Sequence, residues 1–268
     1  MKNKYYMYLR TKFRFVLLNI LGNFATPSNY VHIINGHRAS KMPPNEEDYK
    51  AYKEKLLYLR KHCDFVNIDE AITLINEHKN VQRPTIAFTF DDGYSDCYTH
   101  IAPILEEFGV NAVFFINPHF ADAAEGNEDY IKYFTTHVTM SPGKRPMSWA
   151  QIKDLQNRGF IIGAHTLDHY MVNQGSRQEL LRQIVDCKKV IEEKLGKTCD
   201  YFAWPYGKIS QTNEEAVDIA LNTYKYVFSQ SDYKHYYSFE GKVINRRQAE
   251  PWWPIGHIKY FLSCKKSY

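Results

Sequence analysis

The chain has 268 residues, 44% of them hydrophobic and 24% charged, with a formal net charge of +4. That is long enough for a sizeable core and lies in the range where α/β barrels run as one domain. The mild charge falls short of the clustered basic footprint of a nucleic-acid binder, so no nucleic-acid partner is expected. Aromatic residues make up 15%, with 21 Tyr, which suits a groove for sugars and a Tyr-rich surface equally. Five scattered cysteines (Cys63, Cys97, Cys187, Cys199 and Cys264) include no CxxC pair and argue for reduced thiols.

In chain order, residues 1–29 form a basic-apolar segment ahead of a single domain at 30–268. Lys2, Lys4, Arg10, Lys12 and Arg14 precede the run FVLLNIL at 15–21, which is too short to span a bilayer. NFA before Thr26 lacks the small residue wanted at the first position of a signal-cleavage site. The segment therefore reads as an amphipathic helix, packed on the domain or resting on a membrane surface through peripheral contact. A cytoplasmic or membrane-associated location is expected over export.

YVHIINGHR (30–38) reads as a buried strand running into a loop, followed by a helix to His62 with Asn45 as N-cap. NIDEAITLINEH predicts a second helix capped by Asp69. RPTIAFTF is a strand ending at Asp91 and Asp92, YTHIAPILEEFG a helix stopping at Gly109, and NAVFFIN the next strand. Residues 118–147 are polar and predict a long irregular loop. SWAQIKDLQNRG is a short helix from Ser148, and FIIGAHT a strand. Ser176 and Glu179 form a capping box that opens a long helix ending near Gly196. YFAWPYG, KYVFSQ and KVINR complete the strands, with a helix around 213–222 and another after Pro254. Strands alternating with helices, and no linker between them, predict a mostly parallel α/β sheet or barrel in one domain.

In such folds active sites gather at the carboxyl ends of the strands. Four of the predicted strands end in residues suited to one site: His37 and Arg38, the Asp91–Asp92 pair, His165 and His169, and the PYG turn. An Asp-Gly sequence can be no more than a turn signal. The i, i+4 histidines, however, share a face if 165–169 is a helical turn, and with one carboxylate they make a three-ligand metal site. Asp92 is then the third ligand and Asp91 the base that takes a proton from water acidified by the cation. Neighbours on a regular strand point to opposite faces, so this reading requires the strand to end at about Asp91.

Together TFDDG (89–93), HTLDH (165–169) and FAWPYG (202–207), in that order, resemble the three motifs of the polysaccharide deacetylase family, the chitin-deacetylase-like carbohydrate esterases. The resemblance covers about residues 30–230. It implies a distorted (β/α) barrel, one divalent metal ion (zinc foremost, with cobalt, nickel or iron suiting the same ligands), and removal of acetyl groups, chiefly N-acetyl from amino sugars, from an acetylated glycan or polysaccharide. It also implies that the backbone N–H of Tyr206 helps hold the oxyanion. Two positions depart from the family pattern. Many members carry an arginine in the third motif that pairs with the catalytic aspartate, where this chain has Ala203; Arg246 or Arg247 is the candidate replacement. No Leu-x-His motif near the C-terminus supplies the acid. VHIINGHR instead resembles the branch whose acid-bearing strand leads the chain, a branch that includes poly-N-acetylglucosamine deacetylases. There His37 is the acid in preference to His32, and His257 is structural.

Trp204, Tyr206 and Trp149 are candidate walls of an acetyl pocket, with core packing as the alternative for the two tryptophans. Asp168, inside HTLDH, reads as a solvated turn residue. Two rival functions remain: a metal-dependent amidase acting on a non-sugar C–N bond, and a silent member of the fold that binds carbohydrate without turnover, which Ala203 favours.

Overall fold

The computed structural model describes residues 2–40 and 46–268, so the predicted Asn45 cap lies outside the described residues. The strands are β1 (Val31–Gly36), β2 (Asp64–Phe65), β3 (Thr85–Phe90), β4 (Ala112–Ile116), β5 (Ile161–Ala164), β6 (Tyr201–Ala203), β7 (Tyr226–Ser229), β8 (Tyr237–Ser238), β9 (Val243–Asn245) and β10 (Arg247–Gln248). They form one sheet in the order β10-β1-β3-β4-β5-β6-β7-β9-β8, with β2 pairing on β3. Every pairing is parallel except β8 with β9. β9 and β10 are separated in sequence by Arg246 alone. The first half of this bent strand pairs with β7 and the second with β1, which closes the sheet into the distorted barrel that the alternating pattern predicts.

The helices are α1 (Lys2–Asn23), α2 (Glu46–His62), α3 (Ile68–Asn76), α4 (Ala102–Glu107), α5 (Pro118–Ala123), α6 (Glu128–Tyr133), α7 (Trp149–Asn157), α8 (Arg177–Leu181), α9 (Cys187–Leu195), α10 (Glu214–Thr223) and α11 (Ile255–Leu262). The two-residue period of the strands sorts their side chains between two cores. Val31, Ile33, Ala87, Val113, Phe115, Ala203 and Phe228 pack with α3 in one cluster. Ile34, Phe88, Phe90, Phe114, Ile116 and Phe202 pack under the surrounding helices in the other.

Two local expectations are corrected and others hold. The N-cap of α3 is Asn67, not Asp69, which sits in the first turn and accepts a hydrogen bond from the Tyr201 hydroxyl. Residues 118–147 are not an irregular loop, because Phe120, Ile131 and Phe134 bury against Tyr94 and organise α5 and α6. The long helix capped by Ser176 is present: it runs through a π-helical stretch at Arg182–Asp186 and ends at Gly196, whose φ is 70°. The capping box of α7, Ser148 with Gln151, is present. All five cysteines are free.

Residues 1–29 do contain a helix. α1 lies along α11, with Gly22 and Gly256 at the contact: a Cβ on Gly22 would come within 1.7 Å of the Gly256 carbonyl oxygen. Among the described residues no helix is long and apolar enough to cross a membrane.

Candidate active site

Asp91 continues the inward register of Ala87 and Thr89, its N–H donating to the Gly36 carbonyl as the β1–β3 ladder ends. Its carboxylate is buried and takes a bidentate pair of hydrogen bonds from Arg246, Nη1 to Oδ1 at 2.8 Å and Nη2 to Oδ2 at 3.1 Å. Asn35 Nδ2 adds a third donor at 2.9 Å, and Gln230 Nε2 lies at 3.4 Å. Arg246 is itself fully buried, bonds Asn35 Oδ1 and Thr89 Oγ1, and lies over the Phe115 ring. Burial pushes the Asp91 carboxyl up, but the Arg246 guanidinium, helped by His165, outweighs it and holds the group below the usual carboxylate range. Arg247 takes no part: its guanidinium stacks on Phe261 at 3.5 Å.

Regular strand geometry would send Asp92 to the opposite face from Asp91. Its φ of 74° swings it back instead, with Gly93 also left-handed at 74°. The buried Oδ1 of Asp92 then lies 3.3 Å from His169 Nε2 and 3.5 Å from His165 Nε2. The HTLDH segment is not a helical turn. It is a bend with φ of 62° at Thr166 and 58° at His169, and this strained backbone, rather than i, i+4 spacing on a helix, brings the two rings to 5.2 Å. Asn117, which follows β4, clamps the bend by donating to the His165 and Thr166 carbonyls.

His165 Nδ1 donates to the Ala203 carbonyl at 2.7 Å, which leaves the Nε2 lone pair facing Asp92. Burial holds the His165 imidazole neutral, with its pKa lowered to about 4. Asp92 Oδ1 has no hydrogen-bond partner although it is buried. The ligand atoms of Asp92, His165 and His169 all lie within 4.8 Å of one another. A buried carboxylate oxygen without a hydrogen-bond partner, facing two imidazole nitrogens, is a donor set that fits a cation, and one carboxylate with two imidazoles suits zinc, iron(II), cobalt or nickel.

These residues open into a cleft of about 340 Å³ lined by His37, Asp92, His169, Tyr206, Glu250 and Trp253 among others. His37, just past β1, contacts the buried Glu250 carboxylate through Nδ1 at 2.6 Å, while its backbone N–H donates to the second Glu250 oxygen at 3.1 Å. Burial alone would lower the imidazole, but Glu250, with smaller help from Asp92 and Asp91, raises it to about 9. His32 is a different case: it is buried on β1, its Nε2 bonds the Ser28 carbonyl, and burial drives its pKa down to about 3. His257 is buried in α11, stacked on Trp253.

Of the three aromatic candidates only Tyr206 faces the cleft, 42% exposed and edge-on to His169 at 4.8 Å, with a left-handed φ of 65°. Trp204 is 1% exposed in the core and donates Nε1 to the Lys208 carbonyl. Trp149 is 9% exposed and donates Nε1 to Asp122. Both tryptophans are therefore core residues and not pocket walls, because their ring N–H groups find partners within the fold. Asp168 is also corrected: rather than a solvated turn residue it is a half-buried hub bonded to His119, Tyr130, Arg182 and Gln183. The sequence reading missed Glu250, Asn35, Gln230 and Asn117. Asn117 and Glu250 do lie within two residues of strand ends, where a fuller search for polar groups would have found them.

Residues 78–224 match the family model described as polysaccharide deacetylase. The chain is 25% identical over 155 residues to YxkH of Bacillus subtilis (strain 168), named as a polysaccharide deacetylase, a match covering 58% of this chain and 47% of that one. It is 23% identical over 193 residues to the peptidoglycan-N-acetylglucosamine deacetylase PgdA of Listeria monocytogenes, covering 72% and 36% respectively. The matches thus span less than half the length of these curated relatives. Among solved structures, IcaB from Ammonifex degensii superposes with a TM-score of 0.65 at 20% identity, over 88% of this chain and 99% of that one. The deacetylase PplD of Streptococcus pyogenes gives 0.66 at 17% identity, with the same coverage. The matched segment holds both aspartates, both histidines and the PYG turn on a barrel of the shape these neighbours share, and the chain belongs to the polysaccharide deacetylase family.

Proposed function

We propose that this chain hydrolyses N-acetyl groups on an amino-sugar glycan, using one divalent ion, zinc foremost, held by Asp92, His165 and His169. The observation that carries the reading is the presence of opposite proton carriers beside Asp92, His37 lining the cleft and Asp91 buried next to it. Asp91 is kept ionised by Arg246, and His37 is kept protonated by Glu250. When bound, the metal supplies Lewis acidity that polarises the acetamide carbonyl and acidifies water.

Asp91 accepts a proton as a water oxygen attacks the acetyl carbon. The family resemblance assigns the developing oxyanion to the Tyr206 backbone N–H, and the Tyr206 ring covers one side of His169. As the C–N bond breaks, His37 gives its proton to the departing nitrogen, which leaves poorly as an anion. Acetate and a free amine result, and the proton held by Asp91 passes to solvent.

The name of the Listeria relative supports N-acetylglucosamine as the acetylated unit. The Arg246–Asp91 pair weighs against a silent, carbohydrate-binding member, since it fills the role that Ala203 leaves empty. The test compares metal content and acetate release from N-acetylated chito-oligosaccharides for the wild type, Asp92→Ala and His165→Ala. Near one tightly held ion per chain, lost along with acetate release in both variants, is expected. Equal metal content in all three proteins would overturn the proposal, as would a metal-loaded wild type that cleaves a non-sugar acetamide but no glycan.

A further inference from the structure

α1 turns two apolar faces in opposite directions. Phe15, Leu18 and Gly22 pack inward, with Phe15 edge-on to His257 at 4.5 Å and to Trp253 at 6.1 Å. On the other side Leu9, Phe13, Val16, Leu17, Ile20 and, just past the helix, Phe24 recur at three- and four-residue intervals and are exposed, Phe13 by 71% and Phe24 by 88%. Soluble proteins rarely leave so continuous an apolar stripe in water. Its flanks are cationic: exposed Arg10 and Arg14 border one edge and Lys12 the other. The sequence of α1 carries five basic residues and no acidic one.

We propose that the outer face of α1 is a docking surface for an anionic lipid bilayer, lying in the interface plane rather than crossing it. The charge pattern selects this occupant over a second copy of the chain. In a two-fold contact the stripe would bring Arg10, Lys12 and Arg14 against their own copies, with no carboxylate on the helix to pair them. A bilayer with acidic headgroups takes up the apolar side chains and meets both basic edges. The inner face of the same helix touches Trp253, which lines the catalytic cleft, so docking holds the cleft mouth beside the membrane. The proposal concerns α1 alone and does not depend on the deacetylase reading.

The test is co-sedimentation of the full chain with vesicles of phosphatidylcholine alone and of phosphatidylcholine with phosphatidylglycerol. The comparison variants are Phe13→Glu combined with Ile20→Glu, and Arg10→Gln combined with Lys12→Gln and Arg14→Gln. All these positions are exposed, and circular dichroism with thermal melting checks that each variant folds. The wild type is expected to bind the anionic vesicles at least about tenfold more tightly than the neutral ones, less so at high salt. Both variants should lose that advantage while their circular dichroism and melting temperatures match the wild type. Absence of vesicle binding by the wild type would overturn the proposal, as would binding unaltered in both variants. So would sedimentation equilibrium showing a wild-type dimer that the Phe13/Ile20 variant abolishes, which would assign the stripe to a second copy.

Discussion

Glu250→Gln removes one charge with almost no change of shape. Glu250 is 3% exposed, and its two oxygens accept from His37 Nδ1 and from the His37 backbone N–H. With the carboxylate in place His37 titrates at about 9. The distance from there to the ordinary imidazole value of about 6.5 corresponds to roughly 3 kcal/mol favouring the protonated ring. This is the net of burial, which opposes the protonated ring, and of Glu250, Asp92 and Asp91, which favour it, with Glu250 the largest of the three carboxylates. The folded-state pKa is raised, so the active, protonated acid is present below it and lost as pH rises through it.

The wild-type rate of acetate release from an N-acetylated oligosaccharide is therefore expected to fall only above about pH 9. In the variant the fall begins near the ordinary value of about 6.5, which at pH 8 leaves roughly a thirtieth of His37 protonated. kcat/KM on the amide should drop there about thirtyfold, while hydrolysis of an aryl acetate, whose phenolate departs unprotonated, stays within about threefold. An unmoved alkaline limb would refute the reasoning, and so would equal losses on amide and ester.

Two further outcomes follow from buried contacts. Arg246→Met and Asp91→Asn should each destabilise the protein by about 3–5 kcal/mol in urea titrations, because each strands a buried charge. The double variant should fall short of their sum by about 2 kcal/mol, and strict additivity would show that the pair is not coupled. Gly22→Val places a side chain where the Gly256 carbonyl already sits and should cost about 1–3 kcal/mol through displacement of α1; an unchanged melting temperature would contradict the packing.

Much of the site was legible because a parallel barrel collects polar groups at the carboxyl ends of apolar runs, and those runs are plain in TIAFTF, FIIGA and VHIIN. The physical route to the arrangement of Asp92, His165 and His169 was not. His165 and His169 look like a helical pair, yet they meet through left-handed backbone at Thr166 and His169, a conformation that non-glycine residues do not announce. Trp149 and Trp204 carry the composition of a sugar-binding wall and lie in the core, since aromatic size alone does not say which side of a strand end will be wet. Glu250 follows a strand end, but its pairing with His37, 213 residues away, leaves no mark in the local pattern. The helices of 118–147 were hidden for the opposite reason: many exposed polar residues surround the few apolar ones that bury.

The kinked strand around Arg246 carries a consequence for gene architecture. Because β10 lies beside β1, the barrel has no preferred first strand, and the choice of which strand leads is left to the connections. Ser28 Oγ is 2.8 Å from the Cys264 carbonyl and 3.0 Å from that of Leu262, so the chain entering β1 already touches the chain leaving α11. Placing the segment that bears His37 behind α11 instead of ahead of β3 would require only a short new junction there and would preserve its parallel neighbours. The order in which the strands follow one another along the chain can thus change while His37 keeps its place beside Asp91.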